Sequence, residues 1–442
     1  MENRSKLINF IKAVIIIATA VIIVTGALAI LMLKSEDGVN QFQAYYKQPA
    51  NSVDVIFSGS SKVYCDIATG VLWNNYGIAA FDLAGAEAPS WVSYYQLKEA
   101  LRTQRPKVIC YEVSVAAMFT TLYQADNWAT DNSYGMKWNS NRIDQLKVNS
   151  ENEDVFRTRL NPFNIMHGRY KDLEENDFVN LRNTVKYKGF DPREATVQKD
   201  EPDIDDITDT VPCSEKEEEY FRKIIELAKQ EDIPIILFAS PYGVSEEEVK
   251  ILNYVGTIAD DEGVEFIDFN RLYDEIGMDF SSDIADGGHL NYSGNYKFTD
   301  YFGALLKEKY DIPDHRGDDK YVSWEWDAVH QDYARCDLNI LNSEDATEIL
   351  NMTQNGYIVF ATNGDKAYII DNGQVVSEGE GDAGFRLPYT SGNDSFLFTE
   401  WNNKGERMIS LFVNDEEYIE YYGNILFIYD TINGNYVRSI YY

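Results

Sequence analysis

The sequence predicts an α/β protein: a parallel sheet with helices on both faces, an N-terminal transmembrane helix and a C-terminal all-β, sandwich-like domain. Three observations predict it. Between Val53 and Tyr310, short apolar runs alternate with amphipathic stretches. Strands apolar on both faces belong to the centre of a parallel sheet, and their alternation with helices is the βαβ pattern. Ala13 to Leu33 is an uncharged, mostly aliphatic run of about 21 residues, enough for one helical crossing. Beyond Pro313 the pattern changes, and from Ile340 short β-rich runs are punctuated by turn signals.

The first segment, residues 1–36, reads as a cytoplasmic stub and signal anchor. Arg4, Lys6 and Lys12 precede the apolar run, whereas Lys34 is soon followed by Glu36 and Asp37. That asymmetry predicts an N-terminus inside and the bulk of the chain outside the cytoplasm, as a single-pass protein of the cell membrane. The rival is a cleaved signal peptide, whose apolar core is usually about 7–15 residues with a small-x-small exit. Leu31-Met32-Leu33-Lys34 is a poor exit, so a retained anchor is expected.

Residues 37–312 form the predicted α/β domain, entered through a polar tether over 34–50. Val53–Phe57 is a strand ending at the turn Gly59-Ser60-Ser61, and Lys62–Leu72 is the first helix. Ile78–Leu83 is a strand ending at Ala84-Gly85-Ala86. Ser90 can cap a helix to about Thr103, broken by Arg105-Pro106, and Lys107–Val113 is the third strand. Over about 114–212 the periodicity fades. A structureless loop of that length is unusual in a compact domain, so this insertion should hold helices of its own, as a cover for one side of a site or as a peripheral decoration. Ser214 to Glu217 is a possible capping box for a helix to about Gln230. Ile233–Ser240 and Val264–Phe269 are further strands, with a helix from Ser245 between them. Ser293 can cap a last helix through about Tyr310. Residues 313–338 read as a linker. Residues 339–442 read as the small β domain, with hairpin turns at Asp371-Asn372-Gly373 and Ile432-Asn433-Gly434 and closing strands at Asn424–Tyr429 and Asn435–Tyr441.

Composition excludes some functions. A net charge of −34 repels phosphate backbones, so no nucleic acid is expected as a partner. Cys65, Cys110, Cys213 and Cys336 are scattered without CxxC or metal-ligand spacing, so no metal and no other cofactor is expected. Four cysteines allow three disulfide pairings, and the sequence selects none.

The chemistry gathers in Asp286-Gly287-Gly288-His289-Leu290-Asn291. Two glycines allow a tight turn that aims both side chains at one point. The imidazole is a natural general base, and the carboxylate can fix its tautomer and stabilise the imidazolium. Asp283 is the alternative orienting acid, and Glu87 and Glu112 could also face the site. A nucleophile can be supplied by a serine of the Gly59-Ser60-Ser61 turn, where a strand passes into a helix whose N–H groups can hold an oxyanion. The rival for Ser61 is an ordinary cap, and for Gly85 an ordinary turn glycine.

Gly59-Ser60-Ser61 after the first strand, Gly85 after the second and Asp286-x-x-His289-Leu290-Asn291 before the last helix resemble the SGNH/GDSL hydrolase superfamily over residues 50–310. The resemblance implies a flavodoxin-like sheet and an acyl-enzyme mechanism. It makes Ser61 the nucleophile, Asp286 and His289 its partners, and Gly85 and the Ser61 backbone N–H the oxyanion donors. Ser60 fills the family's Asp slot. The asparagine expected after the third strand is missing from Tyr111-Glu112-Val113-Ser114. That departure is shared with a membrane-anchored branch that includes DltD-like proteins and alginate-type O-acetylation proteins. The branch implies acyl transfer, with acetyl favoured, to a cell-surface or secreted polysaccharide beside a membrane-bound O-acyltransferase. A carbohydrate esterase or deacetylase of the same fold and a non-catalytic surface scaffold are the alternatives. The stretch Gly423 to Asp430, with Gly434 and Val437, is similar to the closing strands of interleukin-like EMT-inducer lectin-type domains, which implies glycan binding by the β domain.

Overall fold

A computed structural model describes residues 2–35, 37–118, 122–161, 167–179, 187–380, 384–403 and 405–442. The chain divides into two units, Met1–Asp327 and Ala328–Tyr442.

The first unit is built on five parallel strands: β1 (Val55–Gly59), β2 (Ala80–Ala84), β3 (Val108–Glu112), β4 (Ile235–Ala239) and β5 (Glu265–Asp268), in the order β2-β1-β3-β4-β5. The first four are buried along their whole length, which is why they read as unbroken apolar runs. β5 closes an edge and is only half-buried. From β1 the chain moves out to β2, then crosses back to β3, so the direction of winding reverses between β1 and β3. Ligands of open α/β sheets collect outside the strand ends at such a point.

Right-handed crossovers put the helices Ser61–Asp66 and Thr69–Tyr76 on one face and Ser90–Ala100, Glu215–Gln230 and Glu246–Glu262 on the other. The last helix, Tyr292–Lys309, returns to the first face: Phe302 meets Phe57 with ring centres 5.6 Å apart. On the opposite face Tyr111 meets Phe221 at 5.9 Å.

Several elements differ from their sequence reading. Residues 34–50 are not a polar tether. The helix Val39–Tyr45 is buried, because Val39, Phe42 and Tyr45 recur at helical spacing amid polar neighbours, and Tyr45 packs edge-on against Phe81. The insertion holds helices at Asp126–Tyr134, Ser140–Val148 and Glu153–Leu160, while its residues 119–121, 162–166 and 180–186 lie outside the described ones. Ser90 does not cap its helix; its hydroxyl donates to the buried Glu217 carboxylate. Asn291, not Ser293, caps the last helix, accepting from Ser293 and Gly294 N–H. Residues 313–338 are not a linker: a short 3-10 turn leads into the helix Val322–Asn342. Trp324 is 1% exposed, stacks on Trp73 and donates its indole N–H to the Ala80 carbonyl. The polar residues of that stretch had masked a helical stripe through Tyr321 and Trp324.

In the second unit, a further helix, Ala346–Met352, precedes the first strand, so the β region begins at Tyr357 and not at 339. Five strands, β6 (Tyr357–Asn363), β7 (Lys366–Asp371), β8 (Gln374–Glu380), β13 (Ile425–Asp430) and β14 (Asn435–Tyr441), form one antiparallel sheet in the order β14-β13-β6-β7-β8. The other sheet has the order β12-β11-β10-β9, from β9 (Arg386–Ser391), β10 (Asp394–Asn403), β11 (Glu406–Val413) and β12 (Glu416–Tyr421). Phe360, Ile369 and Phe427 of one sheet and Phe396, Phe398, Ile409 and Leu411 of the other make a shared core. The far face of the five-stranded sheet packs through Val359, Leu426 and Ile428 onto Ile340 and Ile349 of the two helices. Asn372 and Gly373 both have positive φ, the two-residue turn that an Asn-Gly pair favours.

The N-terminal helix runs from Glu2 to Leu31, and its Asn9–Leu31 part is long and apolar enough to cross a membrane, with no part of it buried against the protein.

Candidate active site

Ser61 opens the short helix after β1, where Gly59 takes a positive φ of 152°. A Cβ at Gly59 would lie 2.8 Å from the Glu112 Cβ on the neighbouring strand, so only glycine fits this turn. The Asp286 loop follows β5 in the chain and meets the helix Ser61–Asp66. His289 Nε2 lies 2.8 Å from Ser61 Oγ, across 228 positions of sequence. His289 Nδ1 lies 2.9 Å from Asp286 Oδ2 and 3.1 Å from Oδ1.

Asp286 also holds the loop's backbone. Its Oδ1 accepts the Gly288 N–H at 2.7 Å and the His289 N–H at 3.0 Å. Burial pushes the Asp286 carboxyl up, but these N–H groups and the imidazole together hold it below the usual range, so it stays ionised. Burial, and then the Lys62 ammonium, push the His289 imidazole below its ordinary value against the opposing pull of Asp286. The lowered pKa favours the neutral imidazole, and with its proton on Nδ1, toward Asp286, Nε2 can accept from Ser61. A serine, a neutral imidazole and an ionised carboxylate in this order can transfer an acyl group through an ester of Ser61. Asp283 does not take part: it is fully buried and pairs with Lys297 at 2.7 Å.

Gly85 lies at the end of β2 beside this edge, its N–H 3.5 Å from the Gly59 carbonyl. A Cβ there would sit 1.7 Å from Asn132 Oδ1. Asn132, on the insertion helix Asp126–Tyr134, donates to the Ala86 carbonyl at 2.8 Å, so the insertion reaches the edge of the site. The sequence held no signal for this asparagine beyond its place in a polar segment. Glu112 is buried next to Gly59, its Oε1 accepting the Ser114 N–H at 3.0 Å, while Glu87 takes a positive φ and its carbonyl accepts from Gln124. Among the described residues no group of His, Cys, Asp and Glu is arranged to hold a metal ion.

Other residues at this edge were not singled out by sequence. Arg193 pairs with Asp191 at 3.3 Å and lies 3.8 Å from Asp37, whose Oδ1 accepts the Tyr64 hydroxyl at 2.9 Å. Lys62, adjacent to Ser61, is 1% exposed and lies 3.2 Å from the centre of the Tyr242 ring.

No protein-family model matches the chain, and no curated protein matches it. Among solved structures it is similar to a "putative acylhydrolase" of Bacteroides fragilis, at 11% identity over 61% of this chain and 94% of that one, with a TM-score of 0.30. A likeness of that size adds nothing to the geometry.

Proposed function

We propose that the chain is a membrane-anchored serine acyltransferase of the SGNH type, working outside the cytoplasm on a cell-surface or secreted polysaccharide. The observation that carries this reading is the continuous relay from Ser61 Oγ to His289 at 2.8 Å and from His289 to Asp286 at 2.9 Å. Ser61 Oγ attacks the carbonyl carbon of an acyl donor while His289 Nε2 takes its proton. The oxyanion is met by the Ser61 N–H at the helix start; the Gly85 N–H, the other expected donor, is directed at the Gly59 carbonyl and would have to turn from it to take part. His289 returns the proton to the leaving group, and the acyl group remains on Ser61. An acceptor hydroxyl then gives its proton to His289, attacks the Ser61 ester, and leaves acylated as Ser61 recovers its proton. Asp286 stays ionised throughout and holds the imidazole in its working tautomer.

Acetyl is the favoured acyl group, a sugar hydroxyl the acceptor, and a membrane-bound O-acyltransferase the proposed supplier of the donor. A polymer-binding role for the β unit is supported by the outer face of its four-stranded sheet. There Trp401, Met408 and Tyr421 are cross-strand partners in one row, with Trp401 and Tyr421 exposed. Flat aromatic faces of this kind suit sugar rings. Hydrolysis is the second reading, favoured by one observation: the Asp286 side chain is 49% exposed, so water reaches the edge of the relay.

The test is trapping. Full-length protein in detergent is treated with a serine-reactive phosphonate and the adduct is mapped by mass spectrometry. Labelling at Ser61 that is lost in His289→Ala is the expected result. Intact protein that takes no label would end the enzyme reading. Addition of acceptor glycan then separates transfer, which speeds turnover of an acyl-ester probe, from hydrolysis, which is indifferent to it.

A further inference from the structure

We propose that Lys62 and Asp66 are positioning residues that fix the imidazole against its nucleophile, because the helix that carries Ser61 also grips both peptide groups flanking His289. Lys62 Nζ donates to the Gly288 carbonyl, in the peptide that enters His289. The Leu290 N–H, in the peptide that leaves it, donates to Asp66 Oδ1 at 2.9 Å. The two side chains stand one turn apart on Ser61–Asp66, four residues from one another, so both emerge on the same side of that helix. Lys62 is 1% exposed and Asp66 is fully buried.

Burial pushes the Lys62 pKa down and the Asp66 pKa up, and a buried amine and carboxyl remain costly unless each is engaged, so their presence beneath a loop calls for a structural return. Here the return is registration. One grip is a donor and the other an acceptor, so the loop cannot slide by a residue or turn over without losing both. The nucleophile and the base, far apart in sequence, thereby become parts of a single rigid body. An error of about 1 Å in such an alignment costs roughly 10²-fold in rate. The ammonium also acts through space. Burial pulls the Lys62 pKa down while Asp66, Glu112, Glu248 and Asp286 hold it up; in its charged form the group lies over the Tyr242 ring and together with Arg193 disfavours a proton on His289.

This inference rests on the proposed relay, so its test has a readout that needs no turnover. In full-length protein in detergent, the His289 ring is titrated by NMR in the wild type and in Lys62→Met, the signal being assigned by its loss in His289→Gln. The expected result is an upward shift of the His289 pKa in Lys62→Met, since a neighbouring positive charge is gone. Against a soluble acetyl ester, Lys62→Met and Asp66→Ala should lose roughly 10²-fold in kcat with KM within about twofold. Asp66→Asn, which keeps the acceptor oxygen, should recover most of that loss. Should Lys62→Met fail to fold, Lys62→Gln, which keeps a donor without the charge, replaces it and must still move the titration. An unmoved His289 pKa overturns the proposal, as does an unchanged kcat in folded Asp66→Ala. A wild type that neither turns over nor labels at Ser61 would end the enzyme reading instead, and the titration would still report on the grip.

Discussion

His289 stands between opposite electrostatic pulls, and their balance sets the pH range in which it can accept a proton. Burial and Lys62 lower its pKa, Asp286 raises it, and the net direction is down. The base form therefore persists into mildly acid solution. The acidic limb of kcat/KM for a soluble ester should lie below the value of about 6.5 that an unperturbed histidine would give, and a limb at or above it would contradict this balance. Asp286→Asn should keep the loop's backbone hydrogen bonds yet favour the wrong tautomer, with a loss of kcat on the order of 10³–10⁴-fold. Gly85 makes a separate case. An added methyl would meet Asn132 Oδ1 at 1.7 Å and the Asp37 carbonyl at 3.1 Å. Gly85→Ala should push the insertion helix away from the site and destabilise the protein by about 1–3 kcal/mol, read as a lowered melting temperature. The Asp-x-x-His spacing was legible because a short loop fixes which groups can meet. Asp283 was a rival on paper only because the sequence does not reveal its pairing with Lys297.

Helix-to-helix contacts add a pH dependence of their own. Glu217, in the first turn of Glu215–Gln230, was half of an expected capping box. Ser214 does accept the Glu217 N–H at 3.2 Å, but the carboxylate turns inward to the hydroxyl and the N–H of Ser90. Burial pushes its pKa up to about 7, against the lowering effect of Ser90. A folded value above the unfolded one means stability that is full below the unfolded pKa and is lost as pH rises through the folded pKa. The first unit should therefore weaken between about pH 4.5 and pH 7 from this group alone. Glu217→Gln should flatten that part of the profile when urea unfolding is followed across pH. The same example marks what a single sequence conveys. Local spelling located the helix and its cap. It could not say that tertiary packing would recruit the Glu217 side chain, or that Ser90 would receive it. The strands β1 to β4 were legible because both faces are apolar, whereas the helices Val39–Tyr45 and Val322–Asn342 were not, since each buries a narrow stripe set in polar residues.

At the scale of the whole molecule, the division between an α/β unit and a β unit was visible in the change of period. The route from the apolar helix to the site was not. That helix ends at Leu31, and Lys34 is already held by Asp177 at 3.1 Å. By Asp37 the chain is in contact with the edge of the candidate site: its carbonyl accepts the Ala86 N–H at 2.6 Å, and its carboxylate accepts the Tyr64 hydroxyl from the helix that bears Ser61. Asp37 lies six positions after Leu31, and fully extended that stretch spans at most about 20 Å. With Asn9–Leu31 in the bilayer, as proposed, that edge stays close to the membrane surface, where a membrane-borne acyl donor is met at high effective concentration. A Gly-Ser spacer of about 20 residues inserted between Leu33 and Lys34 would add a mean reach of roughly 25 Å. It should leave hydrolysis of a soluble acetyl ester unchanged and lower acyl transfer from a donor held in the same vesicles by tenfold or more. Equal transfer with and without the spacer would mean that the short connection has no part in delivering the donor, and that the acyl group reaches Ser61 from solution.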